Sequence, residues 1–326
     1  MRPVVRSPSV LSSRGLRRID LMSVLAIIVA LLLEQWRPVG ERKGLRAALA
    51  RTANGLERSF DGGGPSKGAI AWLVAVVPAV AVAIGLHALL ADWSPLLGFA
   101  FDVGVLYLTL GFRQFSHSFT VIQSAVKTGD VDRARDLIGV WRGESVPERD
   151  REEVIRLSIE EALLAAHRHV FGVLFWYVLL PGPSGAILYR LSVYLAKRWG
   201  TDGAGGAFGA TARRATFLLD WPAVRLSAAV FAVVGDFEDA VYCWRTQARS
   251  WALPNAGVLL AAGAGAMGVR LGMPVLTPEG IVPRPELGLG DQADGRFLDA
   301  CVSLLWRALV VWVFALVLLS LGHLIG

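Results

Sequence analysis

The chain closes on a run that leaves few folds open to it. From Val302 to Ile325 the residues read VSLLWRALVVWVFALVLLSLGHLI, apolar apart from Ser303, Arg307, Ser320 and His323. About 20 helical residues cross the roughly 30 Å hydrocarbon layer of a bilayer, so this run predicts a membrane-spanning helix. The same signature recurs over Ala69–Ala91 and, more weakly, over Pro95–Gly111. The expected fold class is therefore all-α, a multi-span integral membrane protein with cytoplasmic helical segments and the lipid bilayer as its first partner.

Composition agrees where the argument needs it. Hydrophobic residues make up 54% of the chain and charged ones only 18%, while 35 glycines and 11 tryptophans suit helices packed through small residues and anchored by indoles. The formal charge of +6 fits positive-inside loops and anionic headgroups. The basic residues are scattered through loops rather than gathered with aromatics on one face, which argues against nucleic acid as a partner. Cys243 and Cys301 show no CxxC spacing, so neither a structural disulfide nor a zinc site is expected.

Four to six membrane segments can be placed from the cations. Leu21–Leu33 is a short first segment. The linker from Gln35 to Gly68 carries Arg37, Arg42, Lys43, Arg46, Arg51, Arg58 and Lys67 and should be cytoplasmic. Ala69–Ala91 then runs outward, the turn Asp92-Trp93-Ser94-Pro95 has no cation, and Pro95–Gly111 returns to Arg113. The C-terminus falls outside. Residues 1–21 conflict with this orientation through Arg2, Arg6, Arg14, Arg17 and Arg18; they are read as a tail, or as an extension upstream of a start at Met22, ahead of a single membrane domain over 22–326. A cleaved signal peptide is the rival, but Glu34-Gln35-Trp36 is a poor small-residue cleavage site.

Two polar stretches, 112–169 and 235–300, are expected as cytoplasmic blocks. In the first, Gly129 breaks and Asp130 caps one helix, and a second helix begins near Glu148, with Arg156 and Glu160 spaced as an i,i+4 ion pair. That helix turns wholly apolar from Val170 to Leu180. Pro181-Gly182-Pro183-Ser184-Gly185 breaks it, and Ala186–Ala196 follows, ending at Lys197-Arg198. Eleven residues on each side of a Pro/Gly turn are short for two spans, so a re-entrant helical hairpin is expected here. Gly200–Ala212 is glycine-rich but lacks GxxxxGK[ST] and is not a phosphate cradle. Ala215–Val234 reads as a broken apolar segment, and 235–300 as helical at first, then rich in Pro and Gly.

Ionisable residues inside membrane segments are costly and point to function. Asp220 and Arg225, flanking Pro222, form either an internal ion pair or one wall of a polar site. Asp102 and Arg307 are expected to meet neighbouring helices or an interface. Glu160, Glu161, His167, Arg168 and His169 crowd the end of the amphipathic helix, either as a solvated headgroup-level end or as catalytic groups. His167 and His169, two apart, point away from one another, which disfavours a two-histidine metal site. Asp236, Glu238 and Asp239, with Arg245, Arg249 and Asn255, form a third cluster; its carboxylates could hold Mg²⁺ and a phosphorylated ligand, or simply cap and pair within a helix.

Read in order, GVLFWYVLLPGPSGAILYRL, RRATFLLDWPAVRLSA, CWRTQA, LPNAG and AAGAGAMGVRLG resemble the CobD/CbiB family of bacterial membrane proteins, over roughly residues 22–325. The resemblance implies a place in the inner membrane, in late cobalamin biosynthesis, where an aminopropanol moiety is joined in amide linkage to a side-chain acid of a corrinoid precursor. For an enzyme, the clusters read above offer Asp236, Glu238 and Asp239 as catalytic groups and Asp220, Arg225, Arg245, Asn255, Glu160 and His167 as substrate contacts, with Mg²⁺ and ATP as helpers of amide formation. Two stretches depart from the family's pattern: VALLLEQWRPVGER stands where an acidic DxxxGDP-like opening is usual, and 161–172 where an ENTxDG-like stretch is usual. The LLLEQW opening and LDWPAVRL also look like AmpE relatives, which implies a second reading, a non-enzymatic signalling modulator with a protein partner in β-lactamase induction. A transporter ranks third, because the hydropathy pattern shows no inverted repeat.

Overall fold

The computed structural model describes residues 21–36, 43–60, 65–143, 150–200, 208–277 and 280–325. The expected extension before Met22, apart from Leu21, lies outside them, as does most of the glycine-rich stretch after Gly200. Among the described residues the fold is all-helical apart from four very short strands. Among the described residues, five helices are long and apolar enough to cross a membrane. Two of them wear their apolar residues outward: α3 (Pro65–Trp93) exposes Leu73, Val74, Val77 and Val82, and α13 (Gly295–Ile325) exposes Val310, Phe314, Leu318 and Leu319. Apolar surface that extensive is stable only against lipid tails. The chain is a multi-pass membrane protein.

Before α3 come α1 (Leu21–Trp36), which packs on α13, and α2 (Lys43–Phe60) within the stretch read as a linker. The cation-free turn after α3 is set by local chemistry. Ser94 accepts a hydrogen bond from the Leu96 amide, and Pro95, whose missing N–H needs no partner at a helix start, opens α4 (Pro95–Thr109). A break at Leu110–Gly111 leads into α5 (Phe112–Lys127), which buries Phe115, Phe119, Ile122 and Val126 on one stripe. Asp130 caps α6 (Val131–Arg142) as expected, accepting from the Arg133 amide at 3.1 Å, after Gly129 at φ 81°.

The second helix of that region runs from its acidic start to its apolar end as the sequence reads, but it is not the short arm of a hairpin. α7 (Arg151–Ala166), a π-turn over His167–Phe171 and α8 (Gly172–Leu179) form one continuous helix. At 29 residues, or about 43 Å at 1.5 Å per residue, it is long enough to span by itself. The apolar half is thus the end of a full-length helix rather than an eleven-residue piece. Nor is α7 a solvated block: Val154–Glu160 are buried throughout, at the centre of the main core. The turn at 180–183 then folds α9 (Ser184–Gly200) back against α8. α10 (Phe208–Val234), read as broken, runs through Pro222 without interruption.

The region 235–300 folds into the core instead of standing apart as a polar block. α11 (Phe237–Gln247) lies against α12 (Pro254–Met267), whose residues are buried at Asn255 and from Gly257 to Ala266. The AAGAGA run permits that closeness: a Cβ on Gly265 would stand 2.5 Å from the Asp239 carbonyl. Two antiparallel pairs follow, β1 (Leu271–Gly272) with β4 (Glu286–Leu287) and β2 (Val275–Thr277) with β3 (Gly280–Val282). A smaller core, built on Trp199, Phe208, Ala53 and Val76, joins α2, α3, α9 and α10.

Candidate functional site between a proline turn and a π-turn

Pro222 sits in the middle of α10 and has no N–H to give the carbonyl one turn back, which loosens the hydrogen bonding there. Two neighbouring carbonyls take donors from other helices instead. Leu219 O accepts from Trp176 Nε1 at 3.1 Å, and Phe217 O from Asn255 Nδ2 at 2.8 Å. Asp220 sits in this opened turn. Its Oδ1 accepts the Tyr189 hydroxyl at 2.7 Å and lies 3.4 Å from His167 Nε2.

His167 comes from the π-turn, whose extra residue rotates the helix locally; such turns recur at functional sites. The ring is 2% exposed. Its Nδ1 stands 3.2 Å from Ser227 Oγ, whose hydroxyl donates to Ala223 O at 3.0 Å. Nδ1 is therefore the donor on that side. His169 faces the other way, toward Gly111 and the Phe115 ring, as its spacing requires. Gly172 makes the site possible: a Cβ there would meet Tyr189 Cζ at 2.3 Å, so any larger residue pushes the phenol off Asp220.

His167 and Asp220 face a cavity of 230 Å³. His167, Asp220 and Asn255 line it together with Arg168, Arg213 and Thr216, and Leu164, Phe217 and Leu253 supply its apolar wall. Ligand pockets usually run about 300–1,000 Å³, so this one suits a small polar molecule or one end of a large one. Arg168 is tied at 3.6 Å to Glu161 and, through its carbonyl, to Arg190 at 3.2 Å. Nearby, Arg198 donates twice to Asn54 Oδ1, at 2.9 and 3.2 Å.

Of the sequence-predicted residues, His167, Arg168, Asp220 and Asn255 line this cavity and the others do not. Glu160, seven residues before His167, is 1% exposed and accepts from Arg284 Nη1 and Nη2 at 3.0 Å each and from the Gly272 amide at 2.9 Å. The expected Arg156–Glu160 pair is not made, because Arg284 takes the carboxylate and Arg156 donates to Pro274 O at 3.3 Å. Arg225 makes no pair with Asp220 either. Five residues apart, the two leave α10 in different directions, and Arg225 folds over the Trp221 ring at 4.0 Å. Burial of Glu160 and His167 also removes the solvated-end reading of that helix.

Asp236 caps α11, accepting from the Asp239 amide at 3.0 Å, while Glu238 and Arg245 line a separate open groove along α11 with Phe237 and Tyr242. Among the described residues no three His, Cys, Asp or Glu side chains converge as metal ligands. Asp236 spends one oxygen on the cap, and Glu238 and Asp239 do not gather with it into a three-carboxylate set. Asp102 meets neighbours as expected, accepting the Tyr177 hydroxyl at 2.9 Å and standing 2.9 Å from His87 Nδ1; Arg307 bonds Ser303 O on its own helix. Cys243, buried on α11, has its thiol pushed up to about 11, first by burial and then by Asp239.

Sequence reasoning missed Tyr189, Ser227 and Arg213. Ser227 was within reach, since it stands seven residues after Asp220 on the same face of α10. Tyr189 carries no such signal, because the Gly172 notch that admits it lies on another helix.

A family model described as CobD/Cbib protein matches residues 27–305. The chain is similar to a cobalamin biosynthesis protein CobD of Stutzerimonas stutzeri, 36% identical over 301 residues that cover 90% of this chain and 97% of that protein. It is also similar to one of Chromobacterium violaceum, 33% identical over 310 residues, 93% of this chain and 98% of the relative, and to one of Yersinia enterocolitica at 26% over 324 residues, 93% and 99%. No solved structure matches.

Proposed function

We propose, from the premise that this chain belongs to the CobD/CbiB family, that it is an amide-forming enzyme of cobalamin biosynthesis whose active site is the cavity between the π-turn and Pro222. The family match and the curated relatives favour this over the AmpE-like signalling alternative, to which they lend nothing. The single observation that carries the site is that His167 and Asp220, the latter held by the Tyr189 hydroxyl, line a cavity that also holds two arginines.

Joining a primary amine to an activated carboxylate forms a C–N bond, breaks the bond from the acyl carbon to its leaving oxygen, and releases a proton from the amine. His167 and Asp220 are where this chain can accept that proton. Tyr189 and Ser227 fix the orientation of both groups, as a positioned base requires. Arg168 and Arg213 make the mouth positive, which suits the carboxylate or phosphate of an incoming substrate. The cavity holds an aminopropanol and not a corrinoid, whose ring would stay outside with only the side-chain acid entering.

Arg213, which lines the cavity, lies near the start of α10, the end that packs with α2, α3 and α9 and whose segments carry Arg51, Arg58, Lys67, Arg198 and Arg214. By the positive-inside rule that end is cytoplasmic, in the inner membrane, and the C-terminus lies outside. A reporter fluorescent only in the cytoplasm, fused after Gly326, is expected to stay dark; a bright fusion would reverse the orientation. The activity is tested in a strain lacking its own CobD/CbiB enzyme and fed a late corrinoid acid. Mass spectrometry of its corrinoids should show the aminopropanol amide. Persistence of the free acid, with the chain well expressed in the membrane, would overturn the reading.

A further inference from the structure

Asn255 opens the first turn of α12, just after Pro254, and is 7% exposed. Its Nδ2 donates to Phe217 O at 2.8 Å. That bond fixes the amide's orientation, because the flipped amide would set two acceptors against one another at that distance. Oδ1 is thereby committed to one side, is buried, and has no partner among the described residues. The side chain lines the same cavity as Asp220. A buried acceptor left without a donor costs stability, and native proteins satisfy nearly all such groups. The missing donor therefore belongs to whatever fills the cavity.

We infer that Asn255 is the residue by which this cavity selects its small substrate, its Oδ1 accepting a hydrogen bond from an N–H of a primary amine. The inference rests on the function proposed above and adds to it a source of selectivity. Asp220 Oδ1 is already taken by Tyr189 and approached by His167, and among the described residues that line this cavity the Asn255 oxygen is the buried acceptor left without a donor. Asn255 binds and orients; it takes no proton. A site built around a hydrogen bond rejects an isostere lacking the donor far more strongly than an apolar pocket rejects a change of size, because the isostere leaves the acceptor bare.

Titration calorimetry on the full chain in nanodiscs, with empty discs as blank, tests this with 1-aminopropan-2-ol and butan-2-ol. The two differ by a methyl in place of the amino group. Wild type should favour the amine by roughly 10- to 150-fold, the value of one hydrogen bond to a charged group. Asn255→Leu should bring that ratio close to one while leaving butan-2-ol binding in place, which also shows that the variant is folded. Asn255→Asp keeps an acceptor at the position and should keep the preference. If Asn255→Leu retains the wild-type ratio, or Asn255→Asp loses it, Asn255 is not the selecting group although the cavity remains an amine site. A wild-type ratio of one would overturn both the inference and the proposed site.

Discussion

Glu160 and His167 stand two helical turns apart on the same face of one buried helix, and their surroundings differ in a way that separates structure from chemistry. Glu160 is saturated. It receives both prongs of Arg284 and the Gly272 amide, while Arg284 also donates to Met273 O and Gly272 O and lies 5.1 Å from the centre of the Trp251 ring. Three of the roughly four acceptor positions of the carboxylate are filled from within the protein, and the clamp pins the short strands after α12 to the core. His167 belongs to a network that stops short. Asp220, Tyr189 and Ser227 hold it, but the next wall is a cavity and the amide oxygen on that wall has no partner among the described residues. Both residues are buried ionisable groups at a helix centre, so burial alone does not mark function. An incomplete hydrogen-bond account does.

The largest effect that can break this comparison is on stability. Glu160→Ala would strand the half-buried Arg284 guanidinium, at a cost of about 3–5 kcal/mol, and thermal unfolding in detergent should show a much less stable protein. A variant as stable as wild type would mean that the clamp is not structural. On the other side, His167→Ala should lower amide formation by roughly 10²–10⁴-fold, as loss of a positioned base does, with little change in the unfolding transition. A collapse of stability with no specific loss of turnover would put His167 in the same class as Glu160.

Gly172→Ala sharpens the boundary between the two regions. The new methyl group needs the space of the Tyr189 ring, so overpacking should destabilise by about 1–3 kcal/mol. Activity should fall further than stability explains, because the phenol leaves Asp220. Unchanged turnover would show that Tyr189 does not hold the site together. The smallest effect is at Cys243, which lies on the saturated side, where Gln247 bonds both Gly288 N and Gly288 O. With its thiol pushed up to about 11, alkylation by iodoacetamide should be slow near neutrality and rise only as pH approaches that value. A rise centred near the ordinary thiol pKa of about 8.5 would mean that this region opens to solvent.

The membrane helices were legible because length and hydropathy decide them locally: α3, α4 and α13 lie where the apolar runs placed them. The Asp130 cap was readable for the same reason, as its partner is three residues away. Misread were the segments whose fate depends on distant partners. α7 looks amphipathic and solvated until Arg284, far along the chain, is seen to neutralise Glu160. α12 looks like part of a polar block, since Ala and Gly carry little hydropathy even though they bury completely. Half of the site followed the same division: Asp220, His167 and Asn255 drew attention as polar groups in apolar surroundings, whereas Tyr189 depends on a missing Cβ across a helix interface. The pairing of Asp220 with Arg225 failed because closeness in sequence is not a shared face.

The most direct test sets the unsaturated site against the acidic cluster that the sequence also offered. Asp220→Asn and Asp239→Asn are placed separately in a strain that lacks its CobD/CbiB enzyme and needs vitamin B12 made from a late corrinoid precursor, with membrane levels matched to wild type. Asp220 holds Tyr189 and faces His167 over the cavity, while Asp239 lies on α11 and lines no part of it. Growth with wild type and with Asp239→Asn, and none with Asp220→Asn, is the expected result. Growth with Asp220→Asn and failure of Asp239→Asn would contradict the account and move the chemistry to α11.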